Sequence, residues 1–194
     1  MKDFRKTTPT RRTSVPTYKI HNEYKSLLRE DFHQRCGYCG DHDFFRDTFY
    51  EVDHFVPKRS LVNISPTEYS NLVYSCRSCN NSKRAKWPTK DEKIHNDGKK
   101  GFIDPCDPTY AEQFIRLTDG SIHPMTNLGD WMWSALNFGN PAHRVRWKLE
   151  EVKILLAELD KVNIDLPEVL KAKDKLNTLY RNLEEQLMGK PNFA

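Results

Sequence analysis

The sequence predicts an α+β protein whose centre is a strand, strand, helix unit stapled by cysteines. Two C-x2-C pairs, Cys36/Cys39 and Cys76/Cys79, enclose a run of β-favouring residues, and two apolar stripes with helical spacing fill the C-terminal part. A helix precedes this unit, and an antiparallel helical hairpin follows it. The expected segments are a flexible basic arm at residues 1–17, the cysteine-stapled domain at 18–100 and a mainly helical region at 101–194.

The charge of the 194-residue chain is concentrated around the cysteine unit. The net charge is +4, residues 1–15 carry five cations against one acid, and residues 76–100 carry eight against three. Such a surplus would attract a polyanion. No apolar run approaches the ~20 residues of a membrane span, and no secretory signal is recognisable. We therefore expect a cytoplasmic protein with reduced cysteines and no membrane partner.

The first ordered element is expected to be a helix over about 18–34, ahead of the first cysteine pair. Tyr24, Leu27, Leu28 and Phe32 recur there at helical spacing. The glycines that follow, at positions 37 and 40, suit a tight loop in which two thiolates face one metal.

The segment between the cysteine pairs is expected to supply two strands. The first ends at Pro57 and contains most of the β-favouring residues, and the second, at 71–74, leads into the second cysteine pair. A helix then follows from Cys79 and ends by Pro88. The β-favouring residues of the first strand are Thr48, Phe49, Tyr50, Val52, Phe55 and Val56.

The C-terminal region is expected to contain a small β-hairpin turning at Asp119-Gly120, then two helices. Asn140-Pro141 is a helix start, and Asp165 begins the second helix with capping-box spacing. Gly189 and Pro191 are expected to close it. The two apolar stripes comprise Val145, Leu149, Val152, Leu156 and Leu159, then Leu170, Leu176, Leu179, Leu183 and Leu187.

Four thiolates in two closely spaced pairs are typical of a structural zinc site. Cys36, Cys39, Cys76 and Cys79 can surround one tetrahedral ion and join two distant segments. With four protein ligands the zinc has no open coordination position, so it would hold the fold rather than perform chemistry. A unit this small is expected to need the metal in order to fold.

A second group of polar residues in the same stretch suggests phosphodiester chemistry. His54 can take a proton from water when its imidazole is neutral. Asp53 and Asn80 offer the hard oxygen ligands that Mg2+ or Mn2+ prefers. Lys83 lies one helical turn beyond Asn80 and could meet a phosphate, and Asn71 could hydrogen-bond around the histidine and fix its orientation.

These residues give the sequence its resemblance to the HNH endonuclease family, whose core is the ββα-metal fold. The likeness implies that His54 is the general base and that Asp53 and Asn80 bind catalytic Mg2+ or Mn2+. Asn71 is the middle asparagine of the family name. Lys58, Lys83 and Arg84 are expected to contact phosphate. The matching motifs are C-G-Y-C, E-V-D-H-F-V-P and N-L-V-Y-S-C-R-S-C-N-N-S-K.

The resemblance implies DNA as the substrate and hydrolysis of its phosphodiester bonds as the reaction. The later segments F-I-D-P-C-D-P-T-Y and L-N-F-G-N-P-A-H-R look similar to the tails of HNH proteins in bacterial anti-phage defence, including Septu- and retron-associated ones. Such nucleases commonly work with an ATPase or another defence subunit, here expected at the C-terminal helices. The alternative is a zinc-ribbon module that binds nucleic acid or protein without cutting.

Overall fold

The structure is a computed structural model that describes residues 2–45, 49–161 and 166–188. These residues fall into two compact units. The first comprises the chain up to Thr118 together with Ile122–Gly139, and the second comprises Asp119–Ser121 and the chain from Asn140 onward. The predicted boundary at residue 101 therefore differs from the division in the structure, because residues 102–118 and 122–139 pack with the cysteine unit.

The centre of the first unit is an antiparallel strand pair followed by a helix. Strand β2 (Tyr50–His54) pairs with β3 (Leu72–Cys76), and α2 (Arg77–Lys83) follows directly. All five residues of β3 are buried, as expected for a strand covered on both faces. The predicted strand, strand, helix order is confirmed, although α2 begins two residues earlier than predicted. Thr48, predicted in the first strand, lies outside the described residues.

The predicted first helix is present as a 3-10 turn, His21–Tyr24, that runs into α1 (Lys25–Asp31). Its apolar side chains face the core: Leu28 is fully buried, and Tyr24 and Phe32 are nearly so. The turn contacts β2, and α1 contacts both β2 and β3. This element therefore packs on the strand that carries Asp53 and His54.

The prediction of a flexible N-terminal arm is wrong. Strand β1 (Lys2–Asp3) pairs with β4 (Phe114–Arg116), which pairs in turn with β5 (Ile122–Pro124) in the predicted hairpin. Phe4 is buried, and its ring lies 5.0 Å from that of Phe114. Burying an aromatic side chain is worth roughly 1.5–3 kcal/mol, which helps to offset the cost of ordering the segment.

The arginines of this segment have partners within the protein. Arg5 donates to the carbonyl oxygen of Pro105 at 2.7 Å. Arg11 donates from Nε to the carbonyl oxygen of Leu72 at 2.7 Å, and its Nη1 donates to both carboxylate oxygens of Asp104 at 3.0 Å. Arg12 pairs with Asp31 and Glu30. These three arginines therefore bind groups of the first unit, whereas Lys6 is exposed.

Two more helices complete the first unit. They are α3 (Thr109–Glu112) and α4 (Asn127–Ala135). Helix α4 is capped by Thr126, whose hydroxyl accepts from the amide of Gly129 at 2.9 Å. None of the described helices is long and apolar enough to cross a membrane.

The second unit is the predicted antiparallel helical pair, α5 (Pro141–Leu159) and α6 (Pro167–Met188). Asn140 caps α5 by accepting from the amide of Ala142 at 2.9 Å, as its sequence predicts. The predicted stripe of α6 is partly wrong, because Leu170 and Leu179 are 51% and 45% exposed. The other predicted helix signals, Asp165, Gly189 and Pro191, lie outside the described residues.

Candidate active site

The four predicted zinc ligands come together in one buried cluster. The sulfur atoms of Cys36, Cys39, Cys76 and Cys79 all lie within 4.8 Å of one another, and those of Cys39 and Cys76 are 3.9 Å apart. Zinc with four ligands at ~2.3 Å places its sulfur atoms about 3.8 Å apart in a tetrahedron. The residues therefore fit a structural zinc ion, which these four thiolates would hold.

The backbone around the cluster is shaped to bring the two cysteine pairs together. Gly40 has a φ of +73°, a conformation that glycine adopts without strain. Gly37 donates from its amide to the carbonyl oxygen of Tyr74 at 2.8 Å, which links the first cysteine loop to β3. Cys76 also caps α2, because its sulfur accepts from the amide of Cys79 at 3.5 Å. The cluster therefore fixes the start of α2 against the end of β3.

Asp53 on β2 is held by two donors from other parts of the first unit. The Tyr38 hydroxyl donates to its carboxylate oxygen Oδ2 at 2.6 Å, and the Lys83 ammonium lies 2.9 Å from the same oxygen. Lys83 also donates to the carbonyl oxygen of His54 at 2.7 Å. These contacts tie the C-terminal end of β2 to the last turn of α2.

The prediction that Lys83 contacts phosphate is not compatible with this structure. Its side chain has no solvent exposure, and its ammonium lies 5.9 Å and 5.8 Å from the ring centroids of Tyr38 and Phe102. Burial lowers its pKa, and the neighbouring Asp53 carboxylate opposes that shift. The helical spacing placed Lys83 on the expected face of α2, but that face is turned toward β2 and not toward solvent.

We expect Lys83→Met to destabilise the first unit by about 3–5 kcal/mol, because the buried Asp53 carboxylate would lose its counter-charge. The measurement is urea unfolding of the zinc-loaded chain. Lys93→Met is the matched control, since Lys93 is exposed. Adding Asp53→Asn to Lys83→Met should recover part of the loss. Equal unfolding midpoints for the wild type and Lys83→Met would contradict this assignment.

His54 ends β2 with its ring held in one tautomer. Its Nε2 lies 2.7 Å from the carbonyl oxygen of Pro66. A carbonyl oxygen can only accept a hydrogen bond, so Nε2 carries the proton and the neutral ring has its lone pair on Nδ1. The side chain is 6% exposed, and burial lowers the pKa of the imidazole below its ordinary value. The ring is therefore neutral at pH 7, as a general base needs to be.

Asn71 holds the backbone beyond His54 and not the imidazole. Its side-chain oxygen accepts from the amide of Val56 at 2.8 Å, and its side-chain nitrogen donates to the carbonyl oxygen of Val56 at 3.1 Å. Its main-chain oxygen accepts from the amide of Phe55. The prediction that Asn71 orients the ring directly is therefore wrong. It clamps the two residues after His54 against the start of β3.

Asn80 lies beside Glu51, the acid two positions before Asp53. The Asn80 side-chain nitrogen donates to Glu51 Oε2 at 2.8 Å, and Arg77 donates from Nε to Glu51 Oε1 at 2.7 Å. Among the described residues, no group donates to the Asn80 amide oxygen. Glu51 therefore fixes the orientation of the amide and leaves its oxygen, the hard ligand atom, available.

The proposed site residues of β2 have neighbours in different parts of the first unit. Glu51 and Asp53, two positions apart, contact Arg77, Asn80 and Lys83 on α2, as side chains on the same face of a strand do. His54 contacts the loop at Pro66 and the ring of His21. Lys58 and Arg84, the other predicted phosphate contacts, are exposed. Glu51 and Asp53 therefore face α2, whereas the His54 ring faces His21 and Pro66, and the described residues show no hydrogen bond between the His54 ring and Asp53.

Sequence reasoning missed Tyr38 and His21. Tyr38 lies inside the first cysteine loop, where its hydroxyl reaches Asp53 only because the loop folds over β2. The His21 ring centroid lies 4.6 Å from that of His54, 33 positions away in sequence. No local pattern marks either residue, since each contact depends on tertiary packing.

Two comparisons with known proteins agree with this geometry. The HNH endonuclease family model matches residues 36–86, the segment that contains both cysteine pairs, β2, β3 and α2. In addition, 104 residues are 33% identical to the Septu protein PtuB of Bacillus mycoides (strain KBAB4), a match that covers 45% of this chain. The chain covers 34% of the length of that relative.

No solved structure matches the chain. The family match covers the segment that contains the four clustered cysteines together with Asp53, His54 and Asn80. Residues 36–86 of this α+β chain therefore match the HNH endonuclease family.

Proposed function

We propose that this chain is a metal-dependent HNH endonuclease that hydrolyses phosphodiester bonds of DNA as an effector of a bacterial defence system. The observation that carries the proposal is the His54 imidazole. It is neutral and protonated on Nε2 against Pro66, so that its basic Nδ1 remains for a water molecule. It follows Asp53 directly in sequence, within the segment that matches the HNH family.

The proton transfer follows from the tautomer. His54 Nδ1 takes a proton from water, and the resulting hydroxide attacks the phosphorus as the bond to the 3′-oxygen breaks. The ring then carries a positive charge. The nearby Asp53 carboxylate favours that charge, and so does the hydrogen bond from Nε2 to the Pro66 carbonyl oxygen. His54 is therefore suited to take the proton and release it later to solvent.

The second metal site of this proposal consists of oxygen ligands. Asp53 has one carboxylate oxygen engaged by Tyr38 and Lys83, which leaves the other, and the amide oxygen of Asn80 has no donor among the described residues. Such ligands suit Mg2+ or Mn2+ better than a soft metal. A bound ion would supply electrostatic stabilisation of the developing negative charge.

The remaining residues of the proposal position and attract the substrate. Lys58 and Arg84 are exposed and would contact phosphate oxygens, which makes binding sensitive to salt. As a defence effector the chain would act with an ATPase or another subunit. Exposed apolar side chains on α5 and α6, Leu155 at 52% and Leu170 at 51%, would supply a docking surface.

The test is cleavage of supercoiled plasmid by the purified, zinc-loaded chain. We expect nicked product with Mg2+ or Mn2+ and none when the divalent metal is omitted, with zinc still bound. A mock preparation from cells that do not express the chain detects a contaminating nuclease, which would cut the plasmid without the protein. Binding of plasmid, single-stranded or branched DNA without cleavage under all metals would contradict the proposal and favour the non-catalytic zinc-ribbon alternative.

A further inference from the structure

The ring of His21 packs against the proposed catalytic histidine from outside the matched domain. His21 begins the 3-10 turn ahead of α1, upstream of the 36–86 family match. Its ring centroid lies 4.6 Å from that of His54, with the ring planes inclined by 55°. Aromatic ring pairs at this separation attract each other and restrict each other's rotation.

The turn that carries His21 is itself held firmly. Glu23 donates from its amide to the carbonyl oxygen of Ile20 at 3.0 Å and accepts from the amide of Ile20 at 3.1 Å. Tyr24 is buried, and its ring packs on those of Tyr18 and Tyr69 at centroid distances of 4.8 Å and 5.2 Å. His21 is therefore presented to His54 by a fixed backbone and not by a loose loop.

The His54 ring has only two restraints of this kind among the described residues. Pro66 holds the Nε2 edge, and His21 covers part of the ring. A single hydrogen bond leaves the ring free to tilt about that bond, because the χ2 torsion of histidine has a broad minimum. A second contact on the ring would remove this freedom and fix the direction in which Nδ1 points.

We propose that His21 is a positioning residue, which holds the imidazole of His54 by ring packing so that Nδ1 faces the attacking water. This inference rests on the proposed function, in which His54 is the general base. The role belongs to the ring and not to its protons, so another aromatic ring should fill it. Small misplacements of a catalytic group lower turnover without weakening substrate binding.

The experiment compares His21→Ala and His21→Phe in the full zinc-loaded chain. We expect His21→Ala to lower kcat for plasmid nicking about tenfold, with KM, zinc content and melting temperature unchanged, since a positioning loss of this kind acts on turnover. His21→Phe should return kcat to within about threefold of the wild type, because the phenyl ring keeps the packing. His123→Ala, at an exposed histidine on β5, is the control.

A second readout follows the His54 ring itself. The imidazole nitrogen resonances of His54 should report one Nε2-protonated tautomer in the wild type and in His21→Phe, and averaged or broadened signals in His21→Ala. Wild-type kcat in His21→Ala would overturn the inference. So would a His21→Phe enzyme as slow as His21→Ala, since that result would assign His21 a role in proton transfer.

His54→Ala and His21→Ala together separate the role of His21 from the role of His54. If His54→Ala abolishes cleavage while His21→Ala cuts at the wild-type rate, only the role of His21 is lost. If His54→Ala cuts like the wild type, the general base is misassigned, and the role of His21 is overturned with it.

Discussion

Cys76→Ser should prevent zinc binding and unfold the first unit. Cys76 has two structural tasks, because it belongs to the four-cysteine cluster and caps α2 with its sulfur. Structural zinc contributes an apparent ~10–16 kcal/mol in small zinc domains, more than the usual stability of a domain. A serine oxygen is a much poorer ligand than a thiolate for this ion.

The expected result is a fall from one zinc per chain to near zero, with loss of the near-ultraviolet circular dichroism of the core. The matched control is Cys106→Ser, because Cys106 is half-buried but lies outside the cluster. That variant should keep its zinc and its melting temperature to within a few degrees. A zinc-free Cys76→Ser protein that melts at the same temperature as the zinc-loaded wild type would show that the fold does not depend on zinc.

The cysteine cluster and the strand, strand, helix order could be predicted because both depend on short sequence patterns. A C-x2-C spacing keeps two sulfur atoms close together, and a second such pair supplies the other two ligands of a tetrahedral zinc ion. Tyr50 and Val52 belong to residue types that favour strands. Asn140-Pro141 marks a helix start by capping chemistry alone. These signals need no knowledge of tertiary contacts.

The surroundings of the site could not be predicted in this way. Helical spacing placed Lys83 one turn after Asn80, but it does not say which side of α2 is covered by β2. The structure buries that side, so Lys83 neutralises Asp53 instead of meeting a phosphate. The sequence predicts that Asn71 orients the histidine ring, because the two residues lie in the same motif. In the structure, the side-chain amide of Asn71 forms hydrogen bonds with the main chain of Val56 instead.

The prediction for the N-terminal segment was wrong for a related reason, because its contacts are also distant in sequence. Its composition of threonine, proline and arginine is typical of a disordered chain. Phe4 is the one large aromatic side chain near its start that could pack into a core. In the structure, Phe4 joins an aromatic cluster with Tyr110, Phe114 and Phe138, which are more than 100 positions away. On α6, Leu183 is buried while Leu170 and Leu179 are exposed, so only part of the predicted stripe is buried.

The central claim is that a zinc-held frame presents His54 as the base of a phosphodiesterase, and His54→Ala tests it most directly. We expect the single-turnover nicking rate in Mn2+ to fall by about 10²–10⁴-fold, the usual contribution of a general base. Zinc content and melting temperature should match the wild type, since His54 is not a zinc ligand. A His54→Ala protein that nicks plasmid within threefold of the wild-type rate would contradict the account.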